Sequence, residues 1–322
     1  MTASLEPIRP ITLSEIQEAR ARIAGTVVRT PLVRLELGRG LPDVRLKLEN
    51  LQPINAYKLR GAANAVALLS ETERQRGVWT ISAGNAGQGV AYAARAAGVP
   101  CTVVAIETAP AAKLERMRAL GAHLVLVPYA VAWQALDDRS YAGVSGTFIH
   151  PFDDQNFIAG HATIGLEILE DAPDTVAVIG AIGGGGLITG VASAVKALRP
   201  EIRVWGAEPE TAAPAALSFA KGSPQVFQDW EATFVDGAGG KSVFPRMWQR
   251  MQPVVDGSIV VSLDEVKRAM RLMADKARVI AEGAGALGLA AALTGKGGPG
   301  PVVAIVSGGN VDLTKFFELI GP

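Results

Sequence analysis

Four consecutive glycines, Gly183 to Gly186, separate an apolar run from Thr175 to Ile182 from a helix-like run from Leu187 to Leu198. The pattern is a strand, a turn without side chains and a helix, which commits this part of the chain to a βα unit. Glycine permits positive φ and close approach of a ligand to the amides. The first turn of the helix adds unpaired N–H groups at a positive dipole end. The turn therefore reads as a cradle for an anion, above all a phosphate. The alternative is a tight turn with no ligand.

Two other stretches repeat the plan. Val78 to Ser82 runs into Ala83-Gly-Asn-Ala-Gly87 and a helix to about Ala97. Val302 to Val306 runs into Ser307-Gly-Gly-Asn310 and a closing helix. Between them, short apolar runs alternate with helical patterns, as in parallel βα units, and ligands of open α/β sheets bind beyond the carboxyl ends of the strands. The three glycine-rich turns are thus expected to converge on one site. With 322 residues the chain exceeds a usual single core, so two domains are expected.

Local signals fill in the remainder. Thr12-Leu-Ser-Glu15 is a capping box for a helix reaching about Ala24. Val44 to Glu49 alternates strictly and predicts a half-exposed strand. Residues 50–57 form a loop, and Lys58 to Ser70 an alanine-rich helix, so Lys58 stands at a loop-to-helix junction. Cys101 to Val104, Leu124 to Val127 and Thr147 to Ile149 read as strands, and Asp154 to Glu170 as a long helix. Residues 221–260 read as irregular covering loops, and Leu263 to Ile280 as a helix.

Composition excludes several classes of function. No run of about 18 apolar residues is present, so no membrane span is expected. The 31 basic and 31 acidic residues balance without a basic block, which argues against nucleic acid as a partner. Met1 to Pro7 lacks the pattern of a signal peptide, giving a cytoplasmic expectation. The single cysteine, Cys101, sits in an apolar run and reads as core. His123, His150 and His161 share no metal-ligand spacing.

The phosphate ligand can be narrowed. Glu208 ends the strand after the glycines where an acidic ribose ligand belongs in dinucleotide folds, but Ile188 occupies the place of the third glycine. No Gly-Lys-Ser/Thr follows, which disfavours a nucleoside triphosphate. A ligand with one phosphate remains. Pyridoxal phosphate is one, and it needs a lysine amine for its Schiff base.

Five motifs then carry a resemblance. Leu46-Lys-Leu-Glu-Asn-Leu-Gln-Pro53, Tyr57-Lys-Leu-Arg-Gly-Ala-Ala-Asn64, Ser82-Ala-Gly-Asn85, the tetraglycine and Ser307-Gly-Gly-Asn310 resemble, in order and spacing, the serine/threonine dehydratases. These are fold-type II, tryptophan-synthase-β-like pyridoxal-phosphate enzymes, and the chain is most similar to their short catabolic kind. The resemblance implies a two-domain α/β fold, each domain an open, mostly parallel sheet flanked by helices. Residues 1–51 and 152–322 would form a large cofactor-binding domain and residues 52–151 a small mobile one, in a homodimer.

By the same resemblance Lys58 carries the cofactor as a Schiff base and, once freed by the substrate amine, removes the α-proton. Gly183, Gly184, Gly185 and Gly186, with the Leu187 amide, would hold the phosphate. Asn85 would bond the ring 3′ oxygen, Ser307 would face the ring nitrogen, and Tyr57 and Glu282 would support the ring. Asn55, Ser82, Ala83, Gly84, Asn85 and Ala86 would surround an amino-acid substrate. Loss of its β-hydroxyl then yields a 2-oxo acid and ammonia.

Departures from the family cluster beside the substrate. Asn55-Ala-Tyr-Lys58 replaces Gly-Ser-Phe-Lys, Ala86 replaces a histidine, and Ala83 stands where the racemase has its second base. A β-hydroxy amino acid bulkier or less polar than serine, such as phenylserine, is expected. No metal is expected, because Glu208 and the Ala212 carbonyl match ligand positions but Pro214 replaces the aspartate. The other readings are a β-replacement synthase or a racemase on the same fold, and a non-catalytic binding protein, against which retention of Lys58 speaks.

Overall fold

The computed structural model describes residues 7–38 and 42–321. Residues 1–6, on which the cytoplasmic expectation drew, lie outside the described residues. Ten strands are present among these: β1 (Leu32–Leu35), β2 (Val44–Lys47), β3 (Val78–Ile81), β4 (Cys101–Ile106), β5 (His123–Val127), β6 (Thr147–Phe148), β7 (Ala177–Ala181), β8 (Arg203–Pro209), β9 (Gly257–Val261) and β10 (Val302–Ile305). The helices are α1 (Leu13–Ile23), α2 (Lys58–Ala67), α3 (Glu71–Arg76), α4 (Asn85–Ala97), α5 (Ala111–Ala119), α6 (Tyr129–Asp138), α7 (Gln155–Asp171), α8 (Gly186–Leu198), α9 (Pro214–Lys221), α10 (Pro245–Met251), α11 (Leu263–Leu272), α12 (Gly283–Leu293) and α13 (Leu313–Ile320). None of them is long and apolar enough to cross a membrane.

Two sheets result. The larger has the order β1-β2-β10-β7-β8-β9, parallel except for the antiparallel pair β1–β2; the smaller has the all-parallel order β5-β4-β3-β6. Parallel strands need crossover helices, which cover their faces, so their residues are buried on both sides. In β7 and β10 every residue is buried.

Four local expectations are corrected. β2 is not half-exposed: Val44, Leu46 and Lys47 are buried. Its alternation separates an apolar face from a charged one, whose Lys47 meets Glu167 of α7 and whose Arg45 meets Asp174, rather than core from water. Residues 221–260 are not all irregular, since they hold α10 and β9. Only seven residues long, α10 buries Met247, Trp248 and Met251, too short a run to display a helical period. The helix expected to reach Ile280 ends at Leu272 and passes through a wider π turn to Arg278, which has positive φ. The helix expected to reach Ser70 stops at Ala67, and a second capping box, Ser70 with Glu73, opens α3.

Helix α2 is fixed by direct backbone contact. A Cβ on Gly61 would stand 2.5 Å from the Phe157 carbonyl oxygen, and one on Gly160 would stand 2.4 Å from that of Arg60. α2 and α7 therefore touch at paired glycines, and the first turn of α2 points Lys58 along a set direction.

Candidate active site

The three glycine-rich turns do meet. A chamber of about 450 Å³ is lined by Tyr57 and Lys58 at the start of α2, by Ser82 to Ala86 between β3 and α4, by Gly184 before α8, and by Glu282 and Ser307. Each contribution sits at the carboxyl end of a strand or the first turn of a helix, where a parallel sheet leaves its backbone donors unpaired.

Lys58 Nζ donates to the Pro151 carbonyl at 2.6 Å and lies 5.2 Å and 5.4 Å from the ring centres of Tyr57 and Phe157. No carboxylate pairs with it in the described structure. Removal from water without a counter-charge disfavours the ammonium, and its pKa falls to about 7. In the cofactor-free protein the amine is therefore reactive near neutrality. The unfolded chain, with lysine near 10.5, binds the proton that the folded chain has released between pH 7 and 10.5. The stability this group contributes is thus present at high pH and lost as pH falls towards 7. Urea midpoints of the cofactor-free protein and of Lys58→Ala, measured from pH 7 to 10, should show the variant's advantage shrinking as pH rises. A constant difference across that range would contradict a depressed pKa.

Opposite, Gly184 faces the Phe152 ring. A Cβ there would lie 2.3 Å from the ring, so no side chain fits between turn and ring. Gly185 has φ of +87°, a left-handed conformation that favours glycine. The first helical bond of α8 runs from the Thr189 amide to the Gly185 carbonyl at 3.0 Å, which leaves the earlier amides ahead of the ladder. Gly183 and Gly185 border a separate small cleft with Met247 and Met251, and the Leu187 side chain is buried in the core.

Asn85, Glu282 and Asn310 form one chain. The Asn85 amide donates to Glu282 Oε1 at 2.7 Å, and the Asn310 amide donates to Asn85 Oδ1 at 2.8 Å. Burial, reinforced by the Asp236 charge, raises the Glu282 carboxyl to about 7. Gly308 makes room for it, since a Cβ there would lie 2.3 Å from Glu282 Oε1. Burial, with the Glu282 charge second, likewise raises the Tyr57 phenol above its ordinary value. Ser307 is buried and donates a long 3.4 Å bond to the Ala284 carbonyl. Ser82 accepts the Gly84 amide at 3.1 Å and so shapes the loop.

Asn55 stands apart. Exposed at a left-handed φ of 56°, it turns its side chain towards Asn310 at 3.4 Å and lies outside the chamber lining. The Glu208 carboxylate is taken by the Ala215 amide at 2.9 Å, the Ala216 amide at 2.8 Å and the Ser258 hydroxyl at 2.7 Å. It caps α9, which begins at Pro214. Among the described residues no cluster of acidic, histidine or cysteine side chains could hold a metal ion.

His150, His161 and Cys101 are buried. His150 Nδ1 accepts the Asp153 amide at 2.9 Å, and burial lowers its pKa to about 3. His161 packs edge-on against Tyr57 and Phe157, held neutral by burial. Burial pushes the Cys101 thiol up to about 12.

A family model described as "Pyridoxal-phosphate dependent enzyme" matches residues 23–308. The chain belongs to that family. It is 40% identical over 317 residues to L-threonine ammonia-lyase of Thermotoga maritima, covering 96% of this chain and 78% of that one. It is 39% identical over 329 residues to L-threonine dehydratase catabolic TdcB of Staphylococcus aureus, covering 99% and 94%. Among solved structures, maize serine racemase superimposes with a TM-score of 0.87 at 33% identity, covering 96% of this chain and 97% of that chain. The fold-type II architecture and the likeness to short serine/threonine dehydratases therefore extend along nearly the whole chain.

The cofactor is pyridoxal phosphate, and the chamber suits it. It offers an amine with a pKa near neutrality, a glycine, Gly184, on which no Cβ fits and a hydroxyl with only a long bond. Sequence reasoning missed the far wall, formed by Ile81, Val104, Ile106 and Phe152 together with Tyr129, Ala132, Trp133 and Leu136 of α6. The four α6 positions follow the i, i+3, i+4, i+7 spacing of any buried helix face, so sequence alone cannot tell a cavity wall from core.

Proposed function

We propose that the chain is a dehydratase of β-hydroxy-α-amino acids, releasing a 2-oxo acid and ammonia. The observation that carries this is the presence of the Lys58 amine in one chamber with the Gly184 turn and the Ser82–Ala86 loop. Pyridoxal phosphate supplies there an electron-withdrawing ring that acidifies the substrate α-proton.

The chain's own groups do the rest. Gly183 to Gly186 and the amides of the first turn of α8 would hold the phosphate, with Ser307 and Asn85 at the ring edge and Tyr57 and Glu282 in support. The amides at the start of α4 would orient the substrate carboxylate. Lys58 Nζ, with a pKa near 7, takes the α-proton as general base. The β-hydroxyl leaves with a proton as water, and water then converts the resulting enamine, through its imine, into 2-oxo acid and ammonia. Residues 52–151, which carry the smaller sheet, would close over the chamber and exclude solvent. A cytoplasmic homodimer completes the proposal.

A substrate larger than serine, such as phenylserine, is favoured by Ala83 and Ala86 on the chamber wall, where the racemase carries serine and the family histidine. Ala83 also leaves no hydroxyl to serve as a second base, which disfavours racemisation despite the likeness to maize serine racemase. Ammonia and 2-oxo acid release from L-serine, L-threonine and L-threo-phenylserine is the test. Substrate-dependent formation of the D-isomer in place of 2-oxo acid would sink the dehydratase assignment, and a higher kcat/KM for serine would sink the larger substrate.

A further inference from the structure

The chamber is chemically two-sided. Its charged lining residues are Lys58, Lys113, Asp236 and Glu282, whereas the four positions contributed by α6 carry no charge. Two of those four, Tyr129 and Trp133, are 51% and 43% exposed. Large aromatic side chains left open on a cavity wall are costly in water unless something covers them.

Their arrangement is ordered. The Tyr129 and Trp133 rings stack nearly parallel, 5.9 Å apart at 11°, and Trp133 lies 5.7 Å from Phe244, which lies 5.2 Å from Phe152. An aromatic arc thus runs from α6 to the ring that covers Gly184. Aromatic faces accept another flat ring edge-on or offset at 4.5–7 Å. The arc is braced: Arg139, the C-cap of α6, pairs with Asp153, which also accepts from Arg246 and Arg250 at 2.9 Å. Beneath α6, Leu136 and Ala132 are buried against Ile81 and Val104.

We propose that Tyr129, Trp133 and Leu136 form the subsite for the substrate's β-substituent and select a planar, uncharged aryl group. The proposal rests on the amino-acid dehydratase assignment above and extends it from a substrate class to the residues that choose within it. With the amino and carboxylate groups at Lys58 and the start of α4, the β-substituent is the part of the substrate left to meet α6. An aryl ring there extends the Tyr129–Trp133 stack and covers part of its exposed surface; the hydrogen of serine or the methyl of threonine leaves that surface wet.

Two measurements on the cofactor-loaded protein test it. The first compares kcat/KM for L-threo-phenylserine and L-serine in the wild type, Trp133→Ala, Tyr129→Ala and Trp133→Phe. Trp133→Ala is expected to lower the phenylserine value by at least about tenfold, as loss of a hydrophobic pocket contact does. The serine value should stay within about threefold, and Trp133→Phe should retain most phenylserine activity. Equal loss on both substrates, or no loss, overturns the proposal.

The second needs no turnover. L-Phenylalanine and L-alanine, which lack the leaving hydroxyl, are titrated against the cofactor's visible absorbance. Tighter binding of phenylalanine by at least about tenfold, abolished in Trp133→Ala, supports the subsite. An equal Kd for the two ligands in the wild type, or a preference that survives both Trp133→Ala and Tyr129→Ala, overturns it. Absence of 2-oxo acid from every substrate alongside a phenylalanine preference would refute the dehydratase assignment and leave the subsite standing.

Discussion

Lys58→Ala is expected to lower kcat by at least about 10⁴-fold, the upper range for removing a general base, and to abolish the visible absorbance of the lysine-bound cofactor. Both losses follow from one atom. Nζ is the amine that the chamber presents, with its pKa lowered to about 7 by burial, and no second lysine lines the chamber except Lys113, which pairs with Asp236 at 2.5 Å. Misfolding does not offer a rival explanation, because alanine suits the start of α2 and the substitution removes a poorly solvated amine. Steady-state ammonia release and an absorbance spectrum on cofactor-saturated protein check the result. Activity within tenfold of wild type would remove Lys58 from the reaction.

Arg60→Met is expected to destabilise the protein by about 3–5 kcal/mol, the cost of leaving buried charges without their partner. Arg60 is 1% exposed, and its guanidinium donates to Glu49 at 2.8 Å through Nε and to Glu167 at 2.7 Å through Nη1. Lys47, also fully buried, meets Glu167 at 2.6 Å. Arg60 and Lys47 thus face Glu49 and Glu167, with Asp171 a further 3.7 Å from Lys47, at the junction of β2, α2 and α7. Without Arg60, Glu49 and Glu167 face a single lysine in a site closed to water. The Arg60 guanidinium holds the Glu49 carboxyl below its usual range against the opposing effect of burial. The expected fall in Tm is about 4–7 °C, read by calorimetry at saturating cofactor. Since α2 begins at Lys58, KM should rise along with the fall in stability. A Tm within about 2 °C of wild type would show that the pair contributes little.

Much of this site could be read in advance because its chemistry is local. The glycine turn carries its reason within a few residues, Lys58 and Ser307 stand in motifs that the resemblance marks, and the chamber joins Gly184, Lys58 and Ser307. The resemblance grouped Asn55 with the substrate residues, yet at its positive φ it bonds Asn310 and lies outside the chamber lining. β2 misled for a related reason. Alternation reports that two faces differ in polarity, and it is silent on whether the polar face meets water or, as for Lys47, a buried carboxylate.

The α6 wall shows the same limit from the other side. Tyr129, Ala132, Trp133 and Leu136 have the spacing of an ordinary core stripe, and only the position of α6 over the ends of β3 and β4 turns that stripe towards a cavity. Backbone requirements, such as the freedom of Gly185 or the helix start at Lys58, are properties of neighbouring residues and stand in the chain as written. Burial, the identity of a charge's partner and the direction of a helix face depend on segments more than a hundred residues apart, as Arg60 and Glu167 are. Local chemistry therefore marked the glycine turn as an anion cradle and the resemblance marked Lys58, Asn85 and Ser307, while the depressed pKa of Lys58, the neutralised cluster behind it and the aromatic wall before it arose only when distant elements excluded water together.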